Sequence, residues 1–335
     1  MTDHAWEEML AEFRALGGTA DNIRLRDGQF GRGVFPVDPG KPISIRIPEN
    51  LLIDAKDAEF PNGVFRVASG SKAGMRERTF LEMYENAFSW GGGGRAEIER
   101  IFDEAQALPQ ELRHQFKDEF QCGDWFDEPT DTLIQQRFLS SRTLRYPGHH
   151  VIMPIIELVN HGPGPTYSAN ENSVALQGTF AGEVFVKYAD FDPHGMFATW
   201  GFAGEQPQAF SMALGGKVGQ RGVEIGRDLG GLPPALEYWI PKLAIADGNA
   251  RLEFLMIGNK RHPRICKGIF YKLMRDAGFS NFEDAFETMQ HANRMHFLKL
   301  IAVLEGAGGP MVDTLRRMTR FQLQAMSYCY GARAP

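Results

Sequence analysis

The sequence predicts an α+β fold in which a β-rich domain of short strands is interrupted by a helical insert and followed by an all-α C-terminal lobe. Short apolar runs bounded by Gly, Pro and Asp predict strands within 22–47 and again within 151–188. Apolar residues at spacings of three and four predict helices between these two regions and after them. We therefore expect four segments: 1–76 and 141–204 forming the two parts of the β-rich domain, 77–140 the insert and 205–335 the lobe.

The N-terminal elements follow from local patterns. Trp6, Leu10 and Phe13 recur at helical spacing, and Gly17-Gly18 ends this helix. Strands are predicted at Asn22–Arg26, Val34–Val37 and Ile43–Ile47.

The insert and the later elements show the same two periods. Helical spacing runs from Leu81 to Phe88 and from Ile98 to Leu108, with Gly91–Gly94 between them. Strands return at Val151–Ile156, Val174–Leu176 and Glu183–Tyr188, and helical spacing dominates beyond Phe202, notably at Phe282–Met289, Phe297–Leu304 and Val312–Met318.

Composition restricts the class of protein. The chain has 335 residues, 43% hydrophobic and 23% charged, which suits a soluble globular protein. We expect a cytoplasmic protein because the sequence has neither an apolar signal core nor a membrane-spanning run. The formal net charge of −6 argues against a nucleic-acid ligand, although a basic protein partner fits it. Cys122, Cys266 and Cys329 are odd in number and far apart in sequence, which indicates reduced thiols.

Three ordered motifs carry the functional information. The first is Gly31-Arg32-Gly33, the second is the apolar run Met153–His161 that ends in Asn160-His161, and the third is Gly182–Tyr188. In this order they resemble the SET-domain protein methyltransferases, and more narrowly the Rubisco large-subunit methyltransferase-like branch. The resemblance implies a split SET domain with a knot-like crossing, a helical insert and a helical substrate-binding lobe.

The resemblance also implies the reaction, which is transfer of a methyl group from S-adenosylmethionine to a protein lysine, leaving S-adenosylhomocysteine. Because a lysine with a pKa near 10.4 is charged at neutral pH, the site must favour the neutral amine and align it. Tyr188 matches the family's catalytic tyrosine, which orients that amine. Without the neighbouring motifs, Tyr188 would be interpreted as a strand aromatic in the core.

Cofactor contacts are implied for the other motif residues. Asn160 and His161 match the pair that contacts the cofactor, although Asn-His-Gly-Pro is also a turn sequence. Gly31, Arg32 and Gly33 match the loop around its methionine portion, and an ordinary hairpin turn is the alternative. Arg142 matches a Ser-Arg segment and could pair with its carboxylate, or form a surface salt bridge.

Three positions depart from the family pattern. Glu157 replaces Asp and either holds a substrate amine or braces the turn. Trp200 replaces a Tyr and is a candidate substrate contact, while Phe30 replaces an acidic residue before the glycine turn.

Other interpretations remain open at this level. Histidine could be the methyl acceptor, or the chain could be a SET-like protein-binding module without activity. A metal hydrolase using His149, His150, Glu157 and His161 is less favoured because the spacing is not that of a zinc helix motif, so we expect no metal. We expect a monomer that binds a protein or peptide substrate and no membrane.

Overall fold

The structure is a computed structural model that describes residues 3–119, 123–127, 129–147, 149–227 and 240–329. The chain forms two compact units, Met1–Arg100 with Pro129–Tyr188, and Ile101–Glu128 with Ala189–Pro335. The mixture of helices and short strands confirms the α+β prediction. The boundaries of the four predicted segments differ from those of the units, and the four-part division remains a prediction.

Short strands dominate the first unit, as the sequence predicts. In Ile43–Pro48 the isoleucines at alternate positions are buried, because successive side chains of a strand point to opposite faces. This strand pairs antiparallel with Thr19–Asp21 on one side and Ser173–Gly178 on the other. The strands of the unit are Thr19–Asp21, Ile23–Gly28, Gly31–Pro36, Ile43–Pro48, Ile53–Asp54, Ala58–Glu59, Arg66–Val67, Thr143–Tyr146, His149–Ile152, Asn160–His161, Ser168–Asn170, Ser173–Gly178 and Phe185–Val186.

Helices lie where the apolar spacing predicts them. In Asp3–Ala15, Trp6, Leu10 and Phe13 are buried on one face. The helices of the predicted insert are Met75–Phe88, Arg95–Gln106, Gln110–Glu119 and Asp131–Arg142, with a π-helical turn at Trp90–Gly94.

The apolar run before Asn160 is not a continuous strand. The strand ends at Ile152, since Pro154 has no N–H to donate to a ladder. Ile155 then has a left-handed φ of 70°, and Ile156–Leu158 form a 3₁₀ turn. The prediction of a strand up to Ile156 is therefore wrong at its end: the run is a buried turn that delivers Asn160.

The second unit contains strands that the sequence interpretation missed. The prediction of an all-α lobe from residue 205 holds for the helices from Ile265 onward and is wrong for 208–226 and 242–259, where the structure has strands. The alternation of buried and exposed residues is hard to detect here because each strand is short and Leu214–Val218 contains two glycines. In addition, Arg221–Gly226 pairs in parallel with Asn249–Glu253, which is distant in sequence. The strands are Gln208–Phe210, Leu214–Val218, Arg221–Gly226, Lys242–Ala246, Asn249–Glu253 and Met256–Asn259.

Helices complete the second unit around a large apolar core. Along Pro310–Ser327, Val312, Leu315 and Met318 are buried while Arg317 and Arg320 are exposed, as their spacing predicts. The other helices are Pro193–Trp200, Ile265–Asp276 and Ala285–Glu305.

Two sequence expectations concern the whole chain. Within the described residues, none of the helices is both long and apolar enough to cross a membrane. Cys266 and Cys329 are free thiols, and Cys122 lies outside the described residues.

Candidate active site

The second and third motifs meet in a parallel strand pair. Asn160 pairs with Phe185 and His161 with Val186, and the N–H of Gly162 donates to the carbonyl of Val186 at 3.0 Å. Val186 is fully buried, so the pair is anchored in the core of the first unit. This arrangement brings the two motifs side by side, as the predicted crossing requires.

Tyr188 is fixed to the second motif at two points. Its backbone N–H donates to Nδ1 of His161 at 3.2 Å, and its hydroxyl donates to the carbonyl oxygen of Val159 at 2.8 Å. Burial raises the pKa of the phenol, and the nearby Arg142 charge only partly opposes this. The hydroxyl therefore keeps its proton at neutral pH, and its oxygen can still accept a hydrogen bond.

His161 supports Tyr188 in its neutral form. Burial, with a further contribution from the Lys187 charge, lowers the pKa of the imidazole to about 4. At neutral pH Nδ1 therefore has a lone pair, which the hydrogen bond from the Tyr188 N–H requires.

Asn160 links the second motif to the first and third. Its Nδ2 donates to Oε1 of Glu183 at 2.6 Å and to the carbonyl of Arg32 at 3.3 Å. Both amide hydrogens therefore serve to hold the site together. The side-chain carbonyl oxygen of Asn160 is the group that a ligand ammonium could approach.

Glu183 lies across the Ile23–Gly28 and Gly31–Pro36 hairpin, at its glycines. A Cβ at Gly28 would lie 2.4 Å from Oε2 of Glu183, and a Cβ at Gly33 would lie 2.4 Å from Oε1. A larger residue at either position would push the Glu183 carboxylate away from the hairpin. Glu183 belongs to the third motif, but the sequence analysis did not select it as a site residue. An acidic residue beside the glycine turn is the feature that the family pattern has and that Phe30 replaces here.

Phe30 and Gly31 form the tip of the hairpin. Gly31 has a left-handed φ of 87° with open space around its Cα, so its role is the turn itself. The exposed ring of Phe30 packs edge-on against Phe185 with ring centroids 6.0 Å apart. The departure from an acidic residue thus adds an aromatic contact to the third motif.

Arg142 ends the Asp131–Arg142 helix with a largely buried side chain, 20% of which is exposed. Burial would lower the pKa of its guanidinium, but the charges of Glu157 and Glu97 outweigh burial and raise it. Nη2 lies 3.4 Å from Oε2 of Glu97. Nε is buried without a hydrogen-bond partner in the described structure, so Arg142 retains a donor for a further group.

The glycine-rich turn Trp90–Gly94 contacts Arg32 and lies next to Arg142. The sequence analysis did not assign this turn to the site. Nη1 of Arg32 donates to the carbonyl of Gly92 at 3.1 Å. A Cβ at Gly94 would lie 3.3 Å from Nη2 of Arg142 and 3.0 Å from the carbonyl of Ser89. Four successive glycines indicate that other groups lie close to the main chain. The sequence could not identify these groups, because Arg32 and Arg142 are distant from the turn in sequence.

Glu157 belongs to a buried carboxyl pair. It is 7% exposed and accepts a hydrogen bond from the Tyr84 hydroxyl at 2.9 Å, while that hydroxyl accepts from the Ile155 N–H at 2.8 Å. Burial and the charge of Glu157 raise the pKa of the fully buried Glu85, and burial likewise raises the pKa of Glu157 against the Arg142 charge. These contacts support the turn-bracing role for Glu157.

Two further aromatic residues, Trp200 and Tyr167, belong to different units. Trp200 belongs to the second unit, where it ends the Pro193–Trp200 helix and packs against Phe191 at 5.8 Å. Tyr167, which the sequence interpretation missed, is buried enough to raise the pKa of its phenol, and Tyr188 and Glu157 add to that effect.

The alternative metal set is not assembled as a ligand group. His149 and His150 are exposed on their strand, whereas Glu157 is buried against Tyr84. Within the ranges that the structure describes, His, Cys, Asp and Glu side chains form no group of three or more suited to a metal ion.

Comparisons with known proteins give similarity to solved structures. No protein-family model matches the chain, and no curated protein matches it. The chain is similar to the SET domain of LSMT bound to lysine and AdoHcy, with 14% identity and a TM-score of 0.47 over 98% of this chain and 90% of that one. It is also similar to Rubisco LSMT bound to AdoMet, with 14% identity and a TM-score of 0.46 over 97% of this chain and 90% of that one.

Proposed function

We propose that the chain is a protein-lysine N-methyltransferase that uses S-adenosylmethionine. The observation that carries the proposal is the assembly around Tyr188. Its hydroxyl is held on the Val159 carbonyl, beside Asn160, His161 and the Glu183 carboxylate at the glycine hairpin. Three motifs that are far apart in sequence thereby form one site.

The residues fit the amino-acid portion of S-adenosylmethionine. Nε of Arg142 is a buried donor without a partner, and a guanidinium suits the carboxylate of that portion. The Glu183 carboxylate and the side-chain oxygen of Asn160 suit its ammonium group. The main chain at Gly33 lies directly against Glu183 and Asn160 because no Cβ intervenes. Arg142, Asn160, Glu183 and Gly33 would hold the cofactor, with Arg32 and Gly31 shaping the loop and His161 fixing Tyr188.

S-adenosylmethionine would supply an activated methyl group whose sulfonium is a good leaving group. The chain must therefore position a neutral amine and need not activate the methyl donor. The protonated phenol of Tyr188 donates to Val159, and a phenol oxygen can also accept a hydrogen bond, here from the amine. In this role Tyr188 aligns the nitrogen lone pair with the methyl carbon.

Carboxylates around Tyr188 favour a cationic substrate side chain. Burial is the main cause of the raised pKa of the Tyr188 phenol; among the charges, Arg142 lowers this pKa, whereas Glu97, Glu157 and Glu183 each raise it. The three carboxylates attract a lysine ammonium toward the site before it loses its proton. On this ground we propose a lysine in a protein or peptide as the methyl acceptor. The sequence around that lysine would be basic, and Trp200 remains a candidate substrate contact.

Isothermal calorimetry with S-adenosylhomocysteine tests the cofactor part of the proposal. The wild-type chain should bind the product, and N160A and R142M should each weaken binding by roughly tenfold or more, which corresponds to about 1.4 kcal/mol. Arg145 is exposed and follows Arg142 closely, so R145M is the matched control and should bind as the wild type does. An absence of binding by the wild-type chain would refute the proposal.

Transfer of labelled methyl groups tests the reaction. The wild-type chain is incubated with methyl-labelled S-adenosylmethionine and a lysate of its source, and the labelled proteins are hydrolysed to amino acids. Label in methylated lysine supports the proposal, whereas label in methylhistidine would contradict the choice of lysine. Product binding without any transfer would favour the non-catalytic binding module.

A further inference from the structure

Two thiols that are 63 positions apart in sequence meet in the second unit. Cys266 is the second residue of the Ile265–Asp276 helix, and Cys329 follows the Pro310–Ser327 helix. Their sulfur atoms are 3.6 Å apart. The sequence interpretation treated the cysteines as separate, and folding makes these two a pair.

The two thiols have different surroundings. Cys266 is only 1% exposed, whereas Cys329 is partly exposed. The N–H of Asn259 donates to the sulfur of Cys329 at 3.2 Å, and that sulfur lies 3.0 Å from the carbonyl of Pro263. The contact with Cys266, with help from the Asn259 amide, lowers the pKa of Cys329, and the same contact raises the pKa of Cys266.

This asymmetry assigns different chemical roles to the sulfurs. A sulfur that reaches solvent and accepts an N–H bond is the better initial nucleophile. A buried thiol in contact with it is placed to attack the oxidised sulfur before solvent reagents do.

We propose that Cys329 and Cys266 form an oxidisable dithiol that hydroperoxides convert to a reversible disulfide. The thiolate of Cys329 attacks the terminal oxygen of the hydroperoxide, the O–O bond breaks, and the departing alkoxide or hydroxide takes up a proton. Cys329 is then a sulfenic acid. The Cys266 sulfur loses its proton and attacks the Cys329 sulfur, the S–O bond breaks, and the oxygen leaves as water.

Closure of the bond requires a small local movement. The sulfurs must approach from 3.6 Å to a bond length of about 2.05 Å. Cys329 lies beyond the end of its helix, where its N–H bonds to the carbonyl of Met326. A side-chain rotation with a shift at this helix end is therefore compatible with the surrounding structure.

Peptide mapping after treatment with hydrogen peroxide tests the proposal on the full-length chain. The wild type should lose the mass of two hydrogen atoms and yield a peptide pair joined through Cys266 and Cys329. C122S keeps the pair and should give the same crosslink. Dithiothreitol should restore both thiols.

The single variants separate the two roles. C266S should accumulate a sulfenic acid on Cys329 that dimedone traps, because the resolving thiol is gone. C329S should give little dimedone adduct at Cys266. If C329S forms the adduct at Cys266, if the wild-type crosslink involves Cys122, or if Cys329 of the wild type oxidises no faster than a cysteine in an unfolded peptide, the proposal is wrong.

Discussion

At the residue scale, Tyr188 shows how neighbouring protonation states depend on one another. The neutral His161 accepts the Tyr188 N–H, and the protonated phenol donates to the Val159 carbonyl. Burial favours the uncharged form of both side chains. The buried surroundings therefore keep both side chains uncharged, and in this state the N–H and the hydroxyl of Tyr188 are each held by a hydrogen bond.

Replacement of Tyr188 by Phe should lower methyl transfer by roughly 100-fold, because the group that orients the amine is lost. Binding of S-adenosylhomocysteine should persist, as measured by calorimetry. The matched control is Y146F, since Tyr146 also donates to a backbone carbonyl, that of Asn170 at 2.6 Å. Equal turnover of Y188F and wild type would remove Tyr188 from the mechanism.

The histidine predicts a pH dependence of stability. The folded pKa of His161 is about 4 against an ordinary value of 6.5, so the unfolded chain binds the proton more readily between these values. Stability should therefore fall as pH decreases from about 6.5 to 4, by roughly 1–3 kcal/mol for this partly exposed ring.

Denaturant unfolding of the wild type and H161Q at several pH values measures this contribution. The difference in unfolding free energy between the two proteins should become smaller as pH falls from about 6.5 to 4, because only the wild type loses the stabilisation that depends on neutral His161. H150Q, which alters an exposed histidine of the same unit, should follow the wild type. A constant difference across the window would contradict the neutral state of His161.

At the element scale, the Ile23–Gly28 and Gly31–Pro36 hairpin is shaped for close approach. The Glu183 carboxylate lies against its glycines, and Asn160 donates to the Arg32 carbonyl within it. A two-stranded ribbon has little stability by itself, so these contacts with the second and third motifs hold it in place. The position of the candidate cofactor loop thus depends on side chains from elsewhere in the unit.

Replacement of Gly33 by Ala should displace the Glu183 and Asn160 side chains that hold this hairpin. The new Cβ would lie 2.4 Å from Oε1 of Glu183 and 2.8 Å from Nδ2 of Asn160. We expect a loss of about 1–3 kcal/mol in unfolding free energy and roughly tenfold weaker binding of S-adenosylhomocysteine. Gly182 has open space at its Cβ position, so G182A is the control; equal effects of both variants would contradict the close-approach argument.

At the scale of the whole molecule, one buried ion pair connects distant parts of the second unit. Oδ1 and Oδ2 of Asp192 accept bonds from the Arg227 guanidinium at 2.8 and 2.9 Å, and Oδ2 also accepts from Nε2 of Gln322 at 2.8 Å. Although burial opposes the charge, Arg227 lowers the pKa of Asp192 to about 2. The pair joins segments that are up to 130 positions apart.

R227M should reduce the unfolding free energy at neutral pH by about 3–5 kcal/mol, because Asp192 is left as an unpaired buried charge. The difference in unfolding free energy between the wild type and R227M should become smaller as pH falls from about 4 to 2. In this range Asp192 of the wild type takes up a proton, and the stabilisation from its ion pair with Arg227 is lost. Denaturant titrations measure both effects. R251M removes an exposed arginine that pairs with Glu224 and should leave stability nearly unchanged; a loss as large as that of R227M would contradict the argument from burial.

Local sequence patterns determined the α+β class, the six-residue strands of the first unit and the helices with a regular apolar spacing, because periods of two and of three to four residues require only neighbouring positions. The strands of two or three residues were mostly too short to show a period. Motif order also selected Tyr188, Asn160 and His161. The strands between residues 208 and 259 were missed because each is short, two glycines interrupt Leu214–Val218, and Arg221–Gly226 pairs in parallel with the nonlocal Asn249–Glu253.

Tertiary structure decided the distances across the chain. It placed Glu183 on the hairpin glycines, Gly94 beside Arg142 and Cys329 beside Cys266. It also turned the apolar run before Asn160 into a buried turn, through Pro154 and the left-handed Ile155. A linear pattern records which side chains are present and which face they share, whereas close approach between remote segments depends on packing of the folded chain.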